Sequence, residues 1–236
     1  MKDIVCGIMT SRGAADRRGW IEETWGAHFD HVYYSDHRSP LGNVVKVSNA
    51  THYKSNEEKH INFLNRCGPF LAERYEWIFC CDDDTFVFPH RLRNFVRDQA
   101  QPGRVYGTVH SSKKGAGDNP IFKRIDPSVC FPAGGAGYLI PAGVMKHLHP
   151  LKNHGTGYSD VSLGMNLMEK GVPLLDFEHQ FFAHKPVGYG HPERGVPEAI
   201  SYHYIKTREE VDALAGGLEP APISPARLRI PLAWWW

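Results

Sequence analysis

No stretch of this 236-residue chain holds an apolar run near the ~18 residues that would read as a membrane span. No signal peptide is visible either, because Met1-Lys2-Asp3 leads directly into a strand-like run. Charge of one sign is also lacking. The net charge is +1 with no polybasic segment, which excludes a broad basic field for nucleic acid or an anionic membrane. The glycines match neither a P-loop nor a GxGxxG fingerprint. None of the five cysteines, Cys6, Cys67, Cys80, Cys81 and Cys130, forms a CxxC pair, and an odd number leaves one over in any complete disulfide scheme. They read as reduced core residues, and a soluble protein of a reducing compartment is the expectation.

What is present is ordinary for a globular protein: 42% apolar and 22% charged residues, in a length that suits one large α/β domain. Ile4 to Thr10 reads as a first buried strand, left by a Ser11-Arg12-Gly13 turn. A helix capped by Asp16 follows, with Trp20, Ile21, Thr24 and Trp25 on one face. His31–Ser35 and Val44–Val47 read as the next strands, joined through a Pro-Leu-Gly turn. A long helix is predicted from Ser55, with a Ser55/Glu58 capping box and a stripe interrupted at Gly68-Pro69. Pro89 suits the start of another, with Leu92, Phe95 and Val96 facing inward. Alternating strands and helices predict a mostly parallel sheet covered on both faces.

The chemistry concentrates after Trp77-Ile78-Phe79-Cys80-Cys81, an apolar run of the length and type of a strand buried on both faces. Asp82, Asp83 and Asp84 follow where that strand ends, and apolar Phe86-Val87-Phe88 comes next. Three adjacent carboxylates repel one another, so they need solvent or a cation. Apolar flanks make solvent expensive and favour a divalent metal. Thr10, Ser11, Arg12 and Arg17 gather hydroxyls and cations near the first strand's carboxyl end, where a nucleotide can bind, although an ordinary βα turn reads the same way.

From Val105 the pattern changes to shorter strands and polar loops, with 111–120 the most evident flexible segment. Gly134, Gly135 and Gly137 allow close approach of a ligand to the backbone, or a tight turn into a strand. Asp160 is predicted at or just inside a helix N-terminus, where the helix dipole favours its ionised form, as suits a cap or a general base. His184 and His203 lie in apolar and aromatic stretches and could complete a metal site.

Taken together, the motifs resemble the Fringe and core 1 β-1,3-galactosyltransferase group of inverting GT-A-type glycosyltransferases. The similarity runs through Ile8-Met9-Thr10, Arg17 to Trp25, Trp77 to Val87, Ala133 to Tyr138, Ser159 to Gly164 and Ser201-Tyr202-His203-Tyr204, in the family's order. It implies a GT-A-type nucleotide-sugar fold: a mostly parallel central α/β sheet flanked by helices, with a smaller acceptor-side sheet. Asp82, Asp83 and Asp84 match the DxD-type motif that holds a UDP-sugar's ribose and diphosphate through Mn²⁺ or Mg²⁺, with Asp84 the direct ligand. Thr10, Arg17, Gly134 and Gly135 would join the nucleotide-sugar site. Asp160 falls at the catalytic base, and His203 resembles the core 1 metal histidine. His184 stands in a stretch approximating Fringe's own metal histidine, and His203 is favoured between them. The family's eukaryotic members carry a Golgi anchor and disulfides that are not evident here, so the expectation is either a trimmed lumenal catalytic domain or a bacterial or viral setting without a Golgi.

The implied domain is 1–219, with a nucleotide-sugar half at 1–104 and an acceptor and catalytic half at 105–219. The Pro-rich 220–236 tail ends in Trp234-Trp235-Trp236 and is expected to pack on the domain or a partner. The expected partners are a UDP-sugar donor and a glycan, glycopeptide or other hydroxyl acceptor. A silent sugar-binding relative and a metal-dependent phosphohydrolase are the competing readings. No second acidic cluster of the kind two-metal hydrolases use is visible.

Overall fold

A computed structural model describes residues 2–38, 44–51, 55–115, 122–185 and 198–218. Four strands, β1 (Lys2–Met9), β2 (Asp30–Ser35), β3 (Val44–Lys46) and β4 (Tyr75–Asp82), run parallel in the order β4-β1-β2-β3. The helices between them are α1 (Ala15–Glu23) and α2 (Asn56–Arg74), and α3 (Pro89–Asp98) follows the short β5 (Phe86–Val87). β6 (Val105–Gly107), β9 (Tyr138–Pro141) and β10 (Leu174–Asp176) extend the sheet beyond β4 to seven strands, with β9 the one antiparallel member. The architecture is therefore a mixed α/β fold on a large, mostly parallel sheet.

Smaller sheets stand at its carboxyl edge. β7 (Val109–Ser111) pairs with β8 (Cys130–Pro132), while β11 (Phe181–Phe182) and β12 (Ser201–Tyr202) join β5. The remaining helices are α4 (Ser112–Gly115), α5 (Ala142–Leu148), α6 (Ser159–Glu169) and α7 (Arg208–Ala215).

Strand alternation divides the core between the two faces. Val5, Ile78 and Cys80 meet Phe63 and Leu64 of α2, Met145 of α5 and Leu163 of α6. Cys6, Ile8, Phe79 and Cys81 meet Ile21 of α1, Leu92 and Phe95 of α3 and Val211 of α7. Cys6, Cys67, Cys80 and Cys81 are free and buried, whereas Cys130 is free but exposed. No helix among the described residues is long and apolar enough to cross a membrane.

Several local expectations change. Asp16 lies in the first turn of α1, but Ala14 is the N-cap and no side chain caps it. The Ser55/Glu58 box does not form: Ser55 donates to the Ala50 carbonyl, and Glu58 accepts from the Ser48 hydroxyl at 2.7 Å. Tertiary partners outcompete the cap there. A capping box closes instead at α7, between Thr207 and Glu210. Helix α2 runs through Gly68 and Pro69, where the bare Gly68 face admits Met145, whose Sδ would lie 2.8 Å from an added Cβ. Ser111–Gly115, read as flexible loop, is a strand end followed by a helical turn. The Pro40-Leu41-Gly42 turn, residues 116–120 of the polar loop and the 220–236 tail lie outside the described residues.

Candidate active site

The site is assembled by strand register. β4 lies beside β1 with Asp82 opposite Met9, so the acids emerge at the carboxyl edge of the sheet. Asp83 N–H donates to the Met9 carbonyl at 3.0 Å, and Thr85 N–H to that of Asp82 at 3.2 Å, which folds Asp82 to Thr85 into a turn. β5 then pairs antiparallel with β12, Phe86 opposite Tyr202, and Ile205 N–H donates to the Asp84 carbonyl at 2.9 Å. That pairing carries the residue after β12, His203, onto the acids.

Asp82, Asp84 and His203 each offer one ligand atom, and these atoms lie within 4.8 Å of one another. His203 Nε2 is 3.1 Å from Asp84 Oδ1 and 3.9 Å from Asp82 Oδ2. An octahedral ion with ~2.1 Å bonds spaces its ligands about 3.0 Å apart in cis and about 4.2 Å in trans, so the group fits a divalent cation with little adjustment. Two hard carboxylates with one imidazole suit an Mg²⁺- or Mn²⁺-like ion. The ionisation is divided within the group. Packing around Asp82, with Asp84, Asp83 and Asp160 nearby, pushes its carboxyl up to about 7 against the pull of His203. Burial also acts on Asp84, but His203, Lys206 and Arg17 outweigh it and hold that carboxyl below its ordinary value.

Asp83 does not join the cluster. Only 7% of it is exposed, and its carboxylate accepts from the Thr10 hydroxyl at 2.6 Å and from Arg17 Nε at 2.8 Å. Burial raises its pKa, and those two donors oppose the rise. Arg18 Nη1 donates to Thr10 Oγ1 at 3.2 Å. Of the residues read as a nucleotide turn, Thr10 and Arg17 are thus gathered at one place but spend polar groups on Asp83, while Ser11 and Arg12 are exposed.

The glycine turn links the cluster to Asp160. Gly134–Ala136 forms a single 3-10 turn before β9, tied down by Thr85 Oγ1 donating to the Gly135 carbonyl at 2.6 Å and by the Ser201 hydroxyl donating to that of Ala136. A Cβ on Gly135 would sit 2.0 Å from His203 Cε1, so only glycine lets the imidazole lie there. On its other side Gly134 borders Asp160, with an added Cβ 3.7 Å from Asp160 Cβ. Asp160 is the second residue of α6, and its Oδ1 accepts from Val161 N–H at 2.9 Å. Burial raises its pKa, against the pull of the Val161 and Gly134 amides and the charge of His110. The sequence-based expectation was a carboxylate favoured in its ionised form by the helix dipole. Here desolvation outweighs those amides and His110, so the carboxyl lies above its ordinary value.

His184 does not enter the metal-capable group. It stacks on Tyr204 at 6.0 Å, while His203 stacks on the same ring at 3.9 Å. Asp176 is exposed and accepts from the Val109 and Glu178 amides, outside the cluster. Lys206 escaped sequence reasoning, as did the backbone conformation of Tyr204, the last residue of the histidine motif. Lys206 Nζ lies 3.5 Å from Asp84 Oδ2, and Tyr204 holds a left-handed backbone with φ 64°. A non-glycine residue there is uncommon and marks a constrained site, but no sequence signal announces it.

A family model described as Fringe-like matches residues 1–229. A search of curated proteins finds no match. Among solved structures, a glycosyltransferase involved in glycosylation of the major capsid of PBCV-1 is 15% identical with a TM-score of 0.46, covering 89% of this chain and 98% of that one. A CMP:2-keto-3-deoxy-manno-octonic acid synthetase in complex with CTP is 11% identical with a TM-score of 0.43, covering 75% and 89%. Both likenesses are distant, and the family match carries the assignment. On a match spanning nearly its whole length, the chain belongs to the Fringe-like family and is a GT-A-type glycosyltransferase.

Proposed function

We propose that the chain is a metal-dependent, inverting enzyme that moves a hexose or N-acetylhexosamine from a UDP-sugar to an acceptor hydroxyl, forming a β-1,3 linkage. The observation that carries this reading is the convergence of Asp82, Asp84 and His203 within 4.8 Å, joined by one glycine turn to Asp160. In this reading Asp84, His203 and Asp82 would hold Mn²⁺ or Mg²⁺, which would supply Lewis-acid stabilisation of charge on a departing diphosphate. Thr10, Arg17 and Asp83 support the nucleotide side of the first half, with Gly134 and Gly135 closing over the sugar. The second half presents the acceptor to Asp160.

Asp160 takes the proton of the acceptor hydroxyl while that oxygen forms its bond to the anomeric carbon. The bond to the diphosphate oxygen breaks on the opposite face, and the configuration inverts in a single displacement. A base of this kind contributes ~10²–10⁴-fold to the rate. The decisive experiment incubates the full chain with UDP-sugars and Mn²⁺, with and without hydroxyl acceptors. Glycoside formation supports the reading. Free sugar alone in every arm indicates a hydrolase, and tight UDP binding without either product indicates a silent binding protein.

A further inference from the structure

We propose that Glu57, remote in sequence and absent from the cluster, is a positioning residue that holds Asp160 in place. This rests on the reading of Asp160 as the base. Glu57 occupies the first turn of α2 and is only 2% exposed. A carboxylate buried to that degree requires partners. Among the described residues, its donors come from one short segment on the other side of the α2/α6 contact. His154 N–H donates to Glu57 Oε1 at 2.9 Å, Gly157 N–H donates to Oε2, and the Thr156 hydroxyl lies 3.2 Å from Oε2.

That segment leads directly into α6. Gly155 and Gly157 hold left-handed φ values of 69° and 75°, conformations that glycine adopts freely and leaves as freely. The Thr156 hydroxyl also accepts Tyr158 N–H at 3.0 Å, and the Tyr158 carbonyl accepts Ser162 N–H at 3.1 Å as the helix opens. From the far side, Asn166 binds both the carbonyl and the N–H of Lys152, so the segment is pinned at its other end by α6 itself. Two side chains of α2 reach the segment: Asn65 binds both backbone groups of Leu151 at its start, and Glu57 is the tie nearer the base. Asp160 stands three residues beyond Gly157, and a displacement near 1 Å of a reacting group can cost ~10²-fold in rate. An apolar side chain would fill this buried position at lower desolvation cost. The carboxylate's distinct contribution is to fix the backbone before the base.

Glu57→Gln tests the inference, because it keeps the volume but turns an amide NH₂ toward one of the two backbone donors. Hydrogen exchange of the apoprotein is the readout that needs no substrate. Exchange should rise ~10-fold or more from His154 through Ser162 while β4 amides stay protected, which local opening produces and global unfolding does not. Unchanged protection at Val161 and Ser162 would overturn the inference. In turnover, Glu57→Gln should lower kcat ~10-fold or more with Mn²⁺-dependent UDP affinity kept, and should cost little more in an Asp160→Asn background. Losses that multiply in the double variant would mean that Glu57 acts elsewhere, and also overturn it. If Glu57→Gln fails to fold, Glu57→Asp, which keeps the charge but shortens the reach to the His154 and Gly157 amides, takes its place, and the same exchange pattern decides. A chain without transferase activity would sink the proposed function, while the exchange result would still judge the tie.

Discussion

At the scale of single residues, the three aspartates after β4 divide into different environments, and substitutions should separate them. Asp84→Ala removes the carboxylate closest to His203. The expected outcome is loss of the Mn²⁺-dependent thermal shift by UDP with cooperative unfolding retained. A ligand at 100 times its Kd adds ~2.7 kcal/mol of stability, so the loss is easily read. His203→Ala should weaken the metal dependence more than His184→Ala, since only His203 approaches the acids; equal effects would count against the cluster. Asp160→Asn should lower turnover ~10²-fold or more, with donor binding nearly kept. The acidic limb of the wild-type rate should lie higher than an ordinary aspartate would give, because burial raises the Asp160 pKa, and Asn should abolish that limb. Stability carries the opposite sign. A folded-state pKa above the unfolded one means that native Asp160 holds its proton longer, so its contribution is full at low pH and lost as pH rises through the folded pKa. The metal-free Asn variant should therefore melt higher than wild type near neutral pH, with the gap closing below the unfolded pKa of about 4.

At the scale of elements, the glycine turn before β9 connects two sides of the site. Gly135→Ala places a Cβ where the His203 ring lies and should displace it. Changes to groups that support metal ligands cost ~10–100-fold in affinity, and Mn²⁺ titration should show a loss of that size. Gly134→Ala meets only ordinary contacts with Asp160 and Ser159 and should leave Mn²⁺ affinity unchanged. Equal metal affinity in the two variants would show that the turn does not seat His203. Thr85, the residue before β5, and Ser201 of β12 hold that turn, so the small sheet supports it as well as delivering the histidine.

At the scale of the whole molecule, His60 joins the two halves of the sheet. Its Nδ1 lies 2.6 Å from the Tyr34 hydroxyl of β2, and its Nε2 contacts the Tyr138 hydroxyl of β9. Burial lowers its pKa to about 3. The unfolded chain then binds a proton near pH 6.5 that the native state refuses. Stability is full above that pH and should fall as pH drops toward about 3, at up to ~1.4 kcal/mol per pH unit. Urea midpoints between pH 7 and 4 should show the slope, and His60→Gln should remove it. A slope unaffected by that substitution would place the acid sensitivity elsewhere.

Features set by neighbours in sequence were legible without the structure. Trp77 to Cys81 formed the central strand because an apolar run of that length has few other ways to be buried, and the acids appeared at its end. Pro89 opened α3 because its fixed φ and missing N–H suit a first turn. Asp160 stood just inside α6 for similar local reasons. Features set by distant partners were not legible. Ser55 and Glu58 have the spacing of a capping box, yet Ala50 and Ser48 claimed them. The alternation of the turn sent Asp82 and Asp84 to the cluster and Asp83 to Thr10 and Arg17, dividing a motif that reads as uniform. His203 was favoured by the family resemblance alone: it reaches the acids through β12, a two-residue strand too short to show a period, paired with β5 more than a hundred residues earlier. The ionisation of Asp160 was decided the same way. Its place on the helix favours the charge, but the desolvation that raises its pKa comes from protein folded around it, and only the tertiary structure supplies that.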